Sequence, residues 1–365
     1  MRQNHKKSGG VTIVDIARDV GVSHATVSRV LNQHAGVKPA TRQLVLDAVE
    51  RLGYVANQQA RRLAGGRSRV IGLIVSGLTN GYSNRLLEGI EVAVSETDYD
   101  LLLYSSTTRA RRQLHEGQYV DRLVNGLADG LLIISPFFPE AYFERLERHN
   151  FPYVVVDHSG QRDNRPIIYA ANYQGAYEAT EYLIQLGHQH IGFVTGWPVH
   201  PSTAERLDGY KAALAAHGLP FDPAIVREGD FLLEGGYRAG LELLALPDRP
   251  TAIFASSDDM AIGVMNAARQ LGMRIPEDIS VIGFDDIHQA NLIYPRLTTV
   301  SQSLHEVGEV ALRMLLEYID NPQAPRRQQA IATRLVLRDS CQPPARTYQK
   351  AQAVSLNAPT TAPKT

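Results

Sequence analysis

Apolar runs of strand length alternate with longer amphipathic stretches from Val70 onward, and this alternation limits the folds open to the chain. The runs VIGLIVSG, DLLLYSST and GLLIISP are each followed by a segment in which apolar residues recur at helical spacing, as in RLLEGIEVAVSETD. Strands that alternate with helices along a chain form parallel sheets with helices on both faces. A second round of the pattern begins at IIYAANYQGAYEATEY. The sequence therefore predicts an α/β core of two lobes, each with a doubly wound parallel sheet.

The part of the chain before Val70 shows helical patterns only. Thr12 precedes IVDIARDV and can cap a first helix, Gly21 can end it, and Ser23 can cap a second helix. A third helix is predicted from Pro39 onward. Its expected buried face consists of Leu44, Val45, Ala48, Val49 and Leu52. We therefore predict an all-α helix-turn-helix head in front of the α/β core.

The second helix of this head leaves small and polar side chains on its outer face. In helix-turn-helix proteins, exposed residues at the start of this helix contact base edges and phosphates in the major groove of DNA. The pattern alone also fits a plain helical hairpin on a protein surface. The outward-facing residues are His24, Ala25, Thr26, Ser28 and Arg29.

Charge is distributed unevenly between the head and the rest of the chain. The formal net charge is −1, but residues 1–69 contain twelve Lys and Arg against four Asp and Glu, so this part carries +8 and the remainder −9. A basic head on an acidic body indicates an anionic polymer as the partner of the head. The first ten residues also fit a solvated basic arm, which we expect to be disordered.

Several classes of protein are disfavoured by what the sequence lacks. The single cysteine, Cys341, argues against a disulfide framework and against a Cys-based zinc site. The basic N-terminus lacks the apolar run typical of a signal peptide, and the apolar stretches are of strand length, so we expect a cytoplasmic protein with no membrane partner. The sequence shows no phosphate-binding loop, nucleophile elbow or metal-ligand spacing. We therefore expect no enzyme activity, no metal and no cofactor.

The segment NQQARRLAGGRSR follows the head and is polar and basic, with one leucine, Leu63. It is either a flexible linker or a short helix that folds only on DNA. In the second case a leucine can wedge between base steps in the minor groove. Composition alone leaves both interpretations open.

Long motifs of the chain are similar to those of a known family. The stretch TIVDIARDVGVSHATVSRVLNQHAGVKPATRQLVLDAVERLGYVANQQARRLAGG resembles, almost position by position, the DNA-binding head and hinge of the LacI/GalR family of bacterial transcriptional regulators. ERLDGYKAAL, SSDDMAIGVMNAARQLGMRIPEDISVIGFDD and PRLTTVSQ resemble core motifs of the same family. The resemblance covers about residues 11–340. It implies a homodimer that reads near-palindromic double-stranded operator DNA, with the second helix in the major groove and paired hinge helices in the minor groove.

The resemblance also implies roles for single residues of the head. His24 and Ala25 match the main base-reading pair, and Arg29 matches a reader of a further base. Leu63 matches the hinge leucine that intercalates at the operator centre, and Ala60 matches the small residue that faces the minor-groove floor. Side chains expected mostly to position phosphates are Ser23, Thr26, Ser28 and Asn32. The full set of expected DNA contacts is Thr12, Ser23, His24, Ala25, Thr26, Ser28, Arg29, Asn32, Asn57, Ala60 and Leu63.

The hinge departs from the family pattern at one position. The family usually has Tyr-x-Pro-Asn before the hinge helix, whereas this chain has alanine, Ala56, in place of the proline. Alanine does not fix the φ angle as proline does. We therefore expect a looser hinge that loses more entropy when it docks on DNA.

Candidate ligand contacts lie at the ends of predicted strands, where doubly wound sheets bind ligands. Two-lobe sugar binders hold a polyol with planar polar side chains and stack its apolar face on an aromatic ring. Tyr82 and Phe231 are candidates for such a ring, but either residue could also be an ordinary aromatic of the core or rim. Ser257 stands where the family commonly has asparagine, and we expect the next residue, Asp258, to be a structural helix cap. By strand position and resemblance, the expected effector contacts are Ser76, Tyr82, Asp157, Trp197, Arg206, Phe231, Ser257 and Asp285.

These patterns predict five segments. They are a basic arm at 1–10, the helix-turn-helix domain at 11–56, a hinge helix and linker at 57–69, an effector-binding and dimerisation core at 70–342, and a disordered tail at 343–365. Within the core we expect an N-lobe at about 70–170 and 302–331, and a C-lobe at about 171–301 and 332–342.

The expected function is a transcriptional repressor that is released from its operator by a small effector, with a sugar or sugar derivative as the favoured ligand. Within the same family, a corepressor-dependent regulator, a nucleoside-responsive regulator or one whose core binds a partner protein remains open. From another class, a periplasmic-type sugar-binding protein without DNA function shares the two-lobe fold. The basic head and the missing signal peptide argue against that alternative.

Overall fold

The structure is a computed structural model that describes residues 11–31, 34–54, 67–75, 77–105, 120–136, 140–158 and 164–345. It divides into two compact units, Met1–Ser68 and Arg69–Thr365, which we call the head and the core. The described part of the head is helical, and the core is an α/β structure with two sheets. The predicted fold class is therefore confirmed.

The head contains helices α1 (Ile13–Val20), α2 (His24–Leu31) and α3 (Pro39–Leu52). Thr12 caps α1 in a capping box with Asp15, and Gly21 ends that helix in the left-handed conformation at φ 71°. The hydroxyl of Ser23 accepts a hydrogen bond from the backbone nitrogen of Thr26 at 3.1 Å, which satisfies a donor at the start of α2. These local contacts match the predicted caps.

A small apolar cluster holds the helices of the head together. Ile16, Val27 and Val45 are fully buried in it, and Ala48 is nearly so. The prediction that Leu44 belongs to this face was wrong, because its side chain is 58% exposed. Successive helical residues are rotated by about 100°. A narrow contact face centred on Val45 and Ala48 therefore turns Leu44 towards solvent.

Six strands form the sheet of the first lobe of the core, and each neighbouring pair is parallel. They are β1 (Val70–Val75), β2 (Asp100–Ser105), β3 (Gly130–Ile134), β4 (Tyr153–Val156), β5 (Ile167–Ala170) and β11 (Gln328–Ile331). Their order across the sheet is β11-β5-β4-β3-β1-β2.

Six further strands form the sheet of the second lobe. They are β6 (Ile191–Thr195), β7 (Val226–Glu228), β8 (Ala252–Ala255), β9 (Ser280–Asp285), β10 (Thr298–Ser301) and β12 (Arg334–Val336). Their order is β12-β10-β9-β8-β6-β7, and only the edge strand β12 runs antiparallel to its neighbour. The short polar edge strand β7 had no signal in the apolar pattern.

Helices cover both sheets. Those of the first lobe are α4 (Gly81–Ser95), α5 (Glu140–Arg148) and α11 (Leu304–Asp320), with a π-helical turn at Leu123–Leu127. Those associated with the second lobe are α6 (Asn172–Gln185), α7 (Pro201–Ala216), α8 (Leu233–Leu244), α9 (Asp258–Gln270) and α10 (His288–Leu292), with a 3-10 turn at Pro223–Ile225.

Both faces of the first sheet are buried. Along β1, Ile71 and Leu73 join one apolar cluster, whereas Val70 and Ile74 join the cluster on the opposite face. A strand that is covered on both sides needs apolar residues at every position rather than at alternate ones. This explains why the strands read as continuous apolar runs in the sequence.

The chain passes between the lobes three times. It leaves the first sheet after β5 to form α6, returns after β10 to form α11, and leaves again between β11 and β12. Each lobe is consequently assembled from segments that are distant in sequence, and residues near the three crossings lie where the lobes meet.

Helices α4 and α11 pack so closely that glycine is required between them. A Cβ atom on Gly89 would overlap the carbonyl oxygen of His305. We therefore expect Gly89→Ala to lower the free energy of unfolding of the core by about 1–3 kcal/mol, because the backbones must separate. Urea denaturation of the full-length protein measures this.

Gly77→Ala is the matched control, since the nearest atom to a Cβ there is 4.0 Å away. Equal unfolding midpoints for the two variants would contradict the close approach of α4 and α11.

Candidate functional site

A cleft lies between the two lobes of the core and, with the solvent at its open mouth, contains about 850 Å³ of empty space. Its walls include the carboxyl ends of strands from both sheets: Ser135 follows β3, Asp157 follows β4 and Asp285 ends β9. Doubly wound sheets bind ligands at this edge. The cleft therefore has the position of a ligand site.

Most of the predicted effector contacts meet at this cleft. Seven of them line it: Tyr82, Asp157, Trp197, Arg206, Phe231, Ser257 and Asp285. The eighth, Ser76, lies outside the described residues. Since proximity does not demonstrate binding, their roles as effector contacts stay predictions.

Sequence reasoning missed other residues of the cleft. They are Thr79, Asn80, Ser83, Ser135, His200, Ser202, Asp230 and Asp259. Ser135 had a usable signal, because it directly follows a predicted strand as Asp157 does. Thr79 and His200 belong to connecting segments whose course the strand pattern does not predict.

The guanidinium of Arg206 is buried at the second-lobe side of the cleft, and the residue is only 2% exposed. Its Nε donates to Oδ1 of Asn172 at 2.9 Å, and Nη1 donates to the carbonyl oxygen of Ser256. The guanidinium carbon lies 3.9 Å from the ring centroid of Phe284, and Nη1 is 3.7 Å from Oδ1 of Asp285. These contacts fix the direction of the guanidinium.

The ionisation of the Asp285 carboxyl depends on these neighbours. Burial raises the pKa of Asp285 well above its ordinary value, whereas Arg206 lowers it and the nearby Asp258 raises it. Gln302 Nε2 also donates to Oδ1 of Asp285. An ionised Asp285 is costly at this position, and Arg206 and Gln302 are the groups that stabilise its charge.

On the first-lobe side, Oγ of Ser135 donates to Oδ2 of Asp157 at 3.0 Å. Burial raises the pKa of the Tyr82 hydroxyl well above its ordinary value, and the carboxylates of Asp157 and Asp285 raise it further. Tyr82 is therefore a neutral phenol that can donate a hydrogen bond. The first lobe thus offers both donors and acceptors to a polar ligand.

Several non-glycine residues of the cleft have a backbone in the left-handed region. The φ angles are 46° at Ser135, 58° at Asp157, 62° at Phe231 and 127° at Asp285. Residues with a side chain rarely adopt such angles, which cost about 1–3 kcal/mol each. These four are half of the eight described non-glycine residues with a positive φ, so a substantial part of the backbone strain lies where a ligand would bind, which favours a functional site.

An aromatic wall borders the cleft. A Cβ at Gly196 would overlap the ring of Phe231, so this glycine lets the ring lie against the backbone. The rings of Trp197 and His200 are nearly parallel, with centroids 6.2 Å apart and an angle of 6° between planes. His200 meets Phe231 edge-on at 5.7 Å. The buried His200 ring packs between the other two, and the half-buried rings of Trp197 and Phe231 are the ones on which an apolar face could stack.

We expected Asp258 to cap helix α9, but the cap is the residue before it. Ser257 is the N-cap of α9, and its hydroxyl accepts a hydrogen bond from the backbone nitrogen of Met260 at 3.2 Å. Asp258 is fully buried and accepts hydrogen bonds from the Thr299 hydroxyl and from the Ile287 backbone nitrogen. Burial raises the pKa of Asp258 to about 7. The prediction of a cap was wrong because this side chain points inward and ties α9 to β10.

Two polar contacts connect the lobes outside the strands. The backbone nitrogen of Gly81, in the first lobe, donates to Oδ2 of Asp259 in the second lobe at 3.0 Å. Nε2 of His288 lies 3.1 Å from Oε1 of Glu88. A ligand that changes the separation of the lobes must therefore change these contacts.

In the head, the outer face of α2 is open to solvent. His24, Ala25 and Arg29 are exposed, whereas Thr26 and Ser28 are half-buried. The Ser23 and Thr26 hydroxyls are 2.9 Å apart, so these two predicted phosphate contacts support each other. Thr12 is exposed in its capping box. Other predicted DNA contacts lie outside the described residues: Asn32, Asn57, Ala60 and Leu63, as does Ala56.

Metal binding and membrane insertion both need a distinctive local arrangement of side chains. Within the described ranges, no group of three or more His, Cys, Asp or Glu side chains is arranged to hold a metal ion. None of the helices in the same ranges has the length and apolar character needed to cross a membrane.

Two family models match the chain. The model of the bacterial regulatory proteins of the lacI family matches residues 12–57, and that of the periplasmic binding protein-like domain matches residues 180–341. The first match covers the head, and the second covers most of the second lobe together with α11.

Curated relatives match most of the chain. Catabolite control protein A of Priestia megaterium is 35% identical over 85% of this chain and 93% of its own length. The probable HTH-type transcriptional repressor ExuR of Bacillus subtilis is 36% identical over 90% and 98%. The HTH-type transcriptional repressor CytR of Escherichia coli K12 is 32% identical over 92% and 97%.

Solved structures of related regulators have the same architecture. The lac repressor dimer bound to operator and the anti-inducer ONPF has a TM-score of 0.79 and 29% identity, with 92% of this chain and 100% of that chain covered. The complex of the transcriptional regulator CelR with cellobiose has a TM-score of 0.69 and 30% identity, with 90% and 99% covered. With its helix-turn-helix head and two-lobe core, this chain belongs to the LacI family of bacterial transcriptional regulators.

Proposed function

We propose that this regulator is a repressor that binds a near-palindromic operator as a homodimer and is released when a small effector fills the cleft of the core. The observation that carries the proposal is the presence, in one chain, of an exposed polar α2 face and a strained, polar and aromatic cleft. The proposed DNA-reading helix and the proposed ligand cleft therefore belong to one polypeptide chain. Such a repressor acts on the nucleoid in the cytoplasm.

The head reads the operator through α2. His24 and Ala25, at the start of the helix, are the proposed main base readers, and Arg29 is the proposed reader of a further base. All three are exposed, as a base-reading residue must be in the absence of DNA. Leu63 and Ala60, outside the described residues, are the proposed minor-groove contacts of the hinge.

The effector is a sugar or sugar derivative. The cleft combines carboxylates, the fixed guanidinium of Arg206 and an aromatic wall, and a sugar ring presents hydroxyl groups at its edge and an apolar face. The related CelR structure contains cellobiose, and a further family member from Enterococcus faecium contains ribose. A nucleoside would also offer hydroxyls and a flat face, and it is the second ligand class to be tested.

Whether the ligand releases or strengthens DNA binding depends on which arrangement of the lobes it favours. A ligand shifts this equilibrium only through different affinities for the two states. A corepressor would use the same cleft with the opposite preference. The alternative of a sugar-binding protein without DNA function is disfavoured by the lacI-family match over residues 12–57.

The proposed contact of the homodimer includes two exposed apolar side chains near the end of α10. Leu292 is 78% exposed and Tyr294 is 86% exposed. Arg269, near the end of α9, donates to the carbonyl oxygen of Tyr294 and so places this segment beside α9. Exposed apolar side chains of this size mark protein interfaces when they lie together. We assign them to contact with a second copy of the chain.

For the head, we expect Arg29→Ala to relax base preference at one position of each operator half-site. A bidentate arginine–guanine contact discriminates by about 1–3 kcal/mol. Selection of bound sequences from a randomised operator library measures this.

Arg18→Ala is the control, because its side chain is also exposed but lies on α1 and pairs with Asp15. An Arg29→Ala protein that selects the same sequences as the parent would remove Arg29 from the base readers.

For the cleft, we expect Asp285→Asn to leave operator affinity nearly unchanged but to raise the effector concentration needed for release by about ten- to a hundredfold. A hydrogen bond to a charged group contributes about 1.5–3 kcal/mol. Titration of effector against the complex with fluorescent operator measures this.

The matched control is Asp286→Asn, since Asp286 pairs with Arg338 and does not line the cleft. A normal effector response in Asp285→Asn would place the site elsewhere.

For the dimer, we expect Tyr294→Asp to weaken self-association by at least about tenfold, because a buried unpaired charge costs several kcal/mol. Sedimentation velocity at decreasing protein concentration measures this. Phe221→Asp serves as control on another surface, where the ring is 40% exposed. Unaltered sedimentation of Tyr294→Asp would show that the dimer uses a different face.

A further inference from the structure

The charges that line the cleft are strongly unbalanced. Among its described residues, four carboxylates, Asp157, Asp230, Asp259 and Asp285, stand against one guanidinium, that of Arg206. The guanidinium is already engaged with Asp285, 3.7 Å away. Asp157 and Asp285 were among the predicted effector contacts, but Asp230 and Asp259 were not. The excess of acidic side chains was therefore not expected.

The other three carboxylates are held by neutral donors. Oδ2 of Asp157 accepts from the Ser135 hydroxyl at 3.0 Å, and Oδ1 of Asp230 accepts from the backbone nitrogen of Leu232 at 2.9 Å. Oδ2 of Asp259 accepts from the backbone nitrogen of Gly81 at 3.0 Å (Gly81 begins α4). Each of these bonds fixes the direction of a carboxylate but does not neutralise its charge, and a carboxylate has about four acceptor positions in total.

Neighbouring acidic groups influence the carboxyls of the lining. Burial raises the pKa of Asp259, and Glu234 raises it further. For Asp285, both Asp258 and Asp259 act in the same direction as burial. Mutual repulsion and burial thus already disfavour negative charge at this site, and an anionic ligand would add to it. In a partly enclosed cavity such interactions are screened less than at an open surface.

We propose that the cleft acts as a charge filter, which binds polyhydroxy ligands that are uncharged or carry an amine and rejects their carboxylated and phosphorylated counterparts. This inference rests on the proposed effector function of the cleft and narrows its ligand class. Hydroxyl and ammonium groups donate hydrogen bonds to carboxylates, whereas a carboxylate or phosphate cannot donate and is repelled. The half-buried rings of Phe231 and Trp197 receive the apolar face of such a ligand.

Asp230 is the specificity-determining residue that this arrangement singles out. A Cβ on Gly235 would overlap its carboxylate, so the glycine leaves room for the side chain against the first turn of α8. Asparagine has the same shape and retains an oxygen that can accept from Leu232. The variant Asp230→Asn therefore removes charge while it keeps the local geometry.

The test uses the full-length protein and matched ligand sets. Glucose, glucosamine, glucuronate and glucose 6-phosphate form one set, galactose with galacturonate and galactose 6-phosphate a second, ribose with ribose 5-phosphate a third, and adenosine with adenosine 5′-monophosphate a fourth. Thermal shift identifies the sets that bind, and calorimetry gives the dissociation constants. We expect each anionic member to bind at least about a hundredfold more weakly than its neutral parent, since like charges brought together are strongly disfavoured. An anion that binds as well as its parent overturns the proposal.

Asp230→Asn should improve the binding of an anion relative to its neutral parent by about tenfold, because one like charge is removed. Asp286→Asn, outside the cleft, should leave this ratio unchanged. An unchanged ratio in Asp230→Asn overturns the role of Asp230.

Operator release, measured on the same ligands, separates this inference from the proposed function. If an anion binds best and releases operator, the charge filter fails but the effector function stands. If no member of any set binds, both fail together.

Discussion

The buried guanidinium of Arg206 is the interaction on which the second-lobe side of the cleft depends. Removing one partner of a buried ion pair leaves an uncompensated charge and costs far more than the pair contributes. Asn172, Ser256 and Asp285 bind this guanidinium, and Phe284 supports its face. These residues come from the start of α6, the segment after β8 and the end of β9. One charge therefore fixes the relative positions of several strand ends.

The strained strand ends and the acidic lining have a common physical consequence. Residues such as Asp157 and Asp285 adopt left-handed backbone angles and so direct carboxylates into the cleft. The free energy for holding them there comes from the fully buried cores on both faces of each sheet. In the proposed function, a ligand with many donors relieves the repulsion between these carboxylates and stabilises one arrangement of the lobes.

Local chemistry made much of the fold predictable, and tertiary contacts account for the rest. The caps at Thr12 and Ser23 and the stop at Gly21 depend only on neighbouring residues, and continuous apolar runs identified the buried strands. Leu44 was misplaced because the helical pattern does not reveal how narrow a contact face is. Asp230 and Asp259 were missed because their approach to the cleft results from the packing of α8 and α9 on the second sheet, which sequence spacing does not encode.

The central claim is that the cleft and the operator-reading face of α2 are energetically coupled. Calorimetric titration of the neutral ligand that binds tightest, into the free protein and into protein saturated with operator duplex, tests it most directly. By linkage, the factor by which ligand weakens operator binding must equal the factor by which operator weakens ligand binding. We therefore expect the ligand dissociation constant to be higher for the operator complex, by about 5- to 150-fold for typical coupling. Equal ligand dissociation constants in the two titrations would contradict the account.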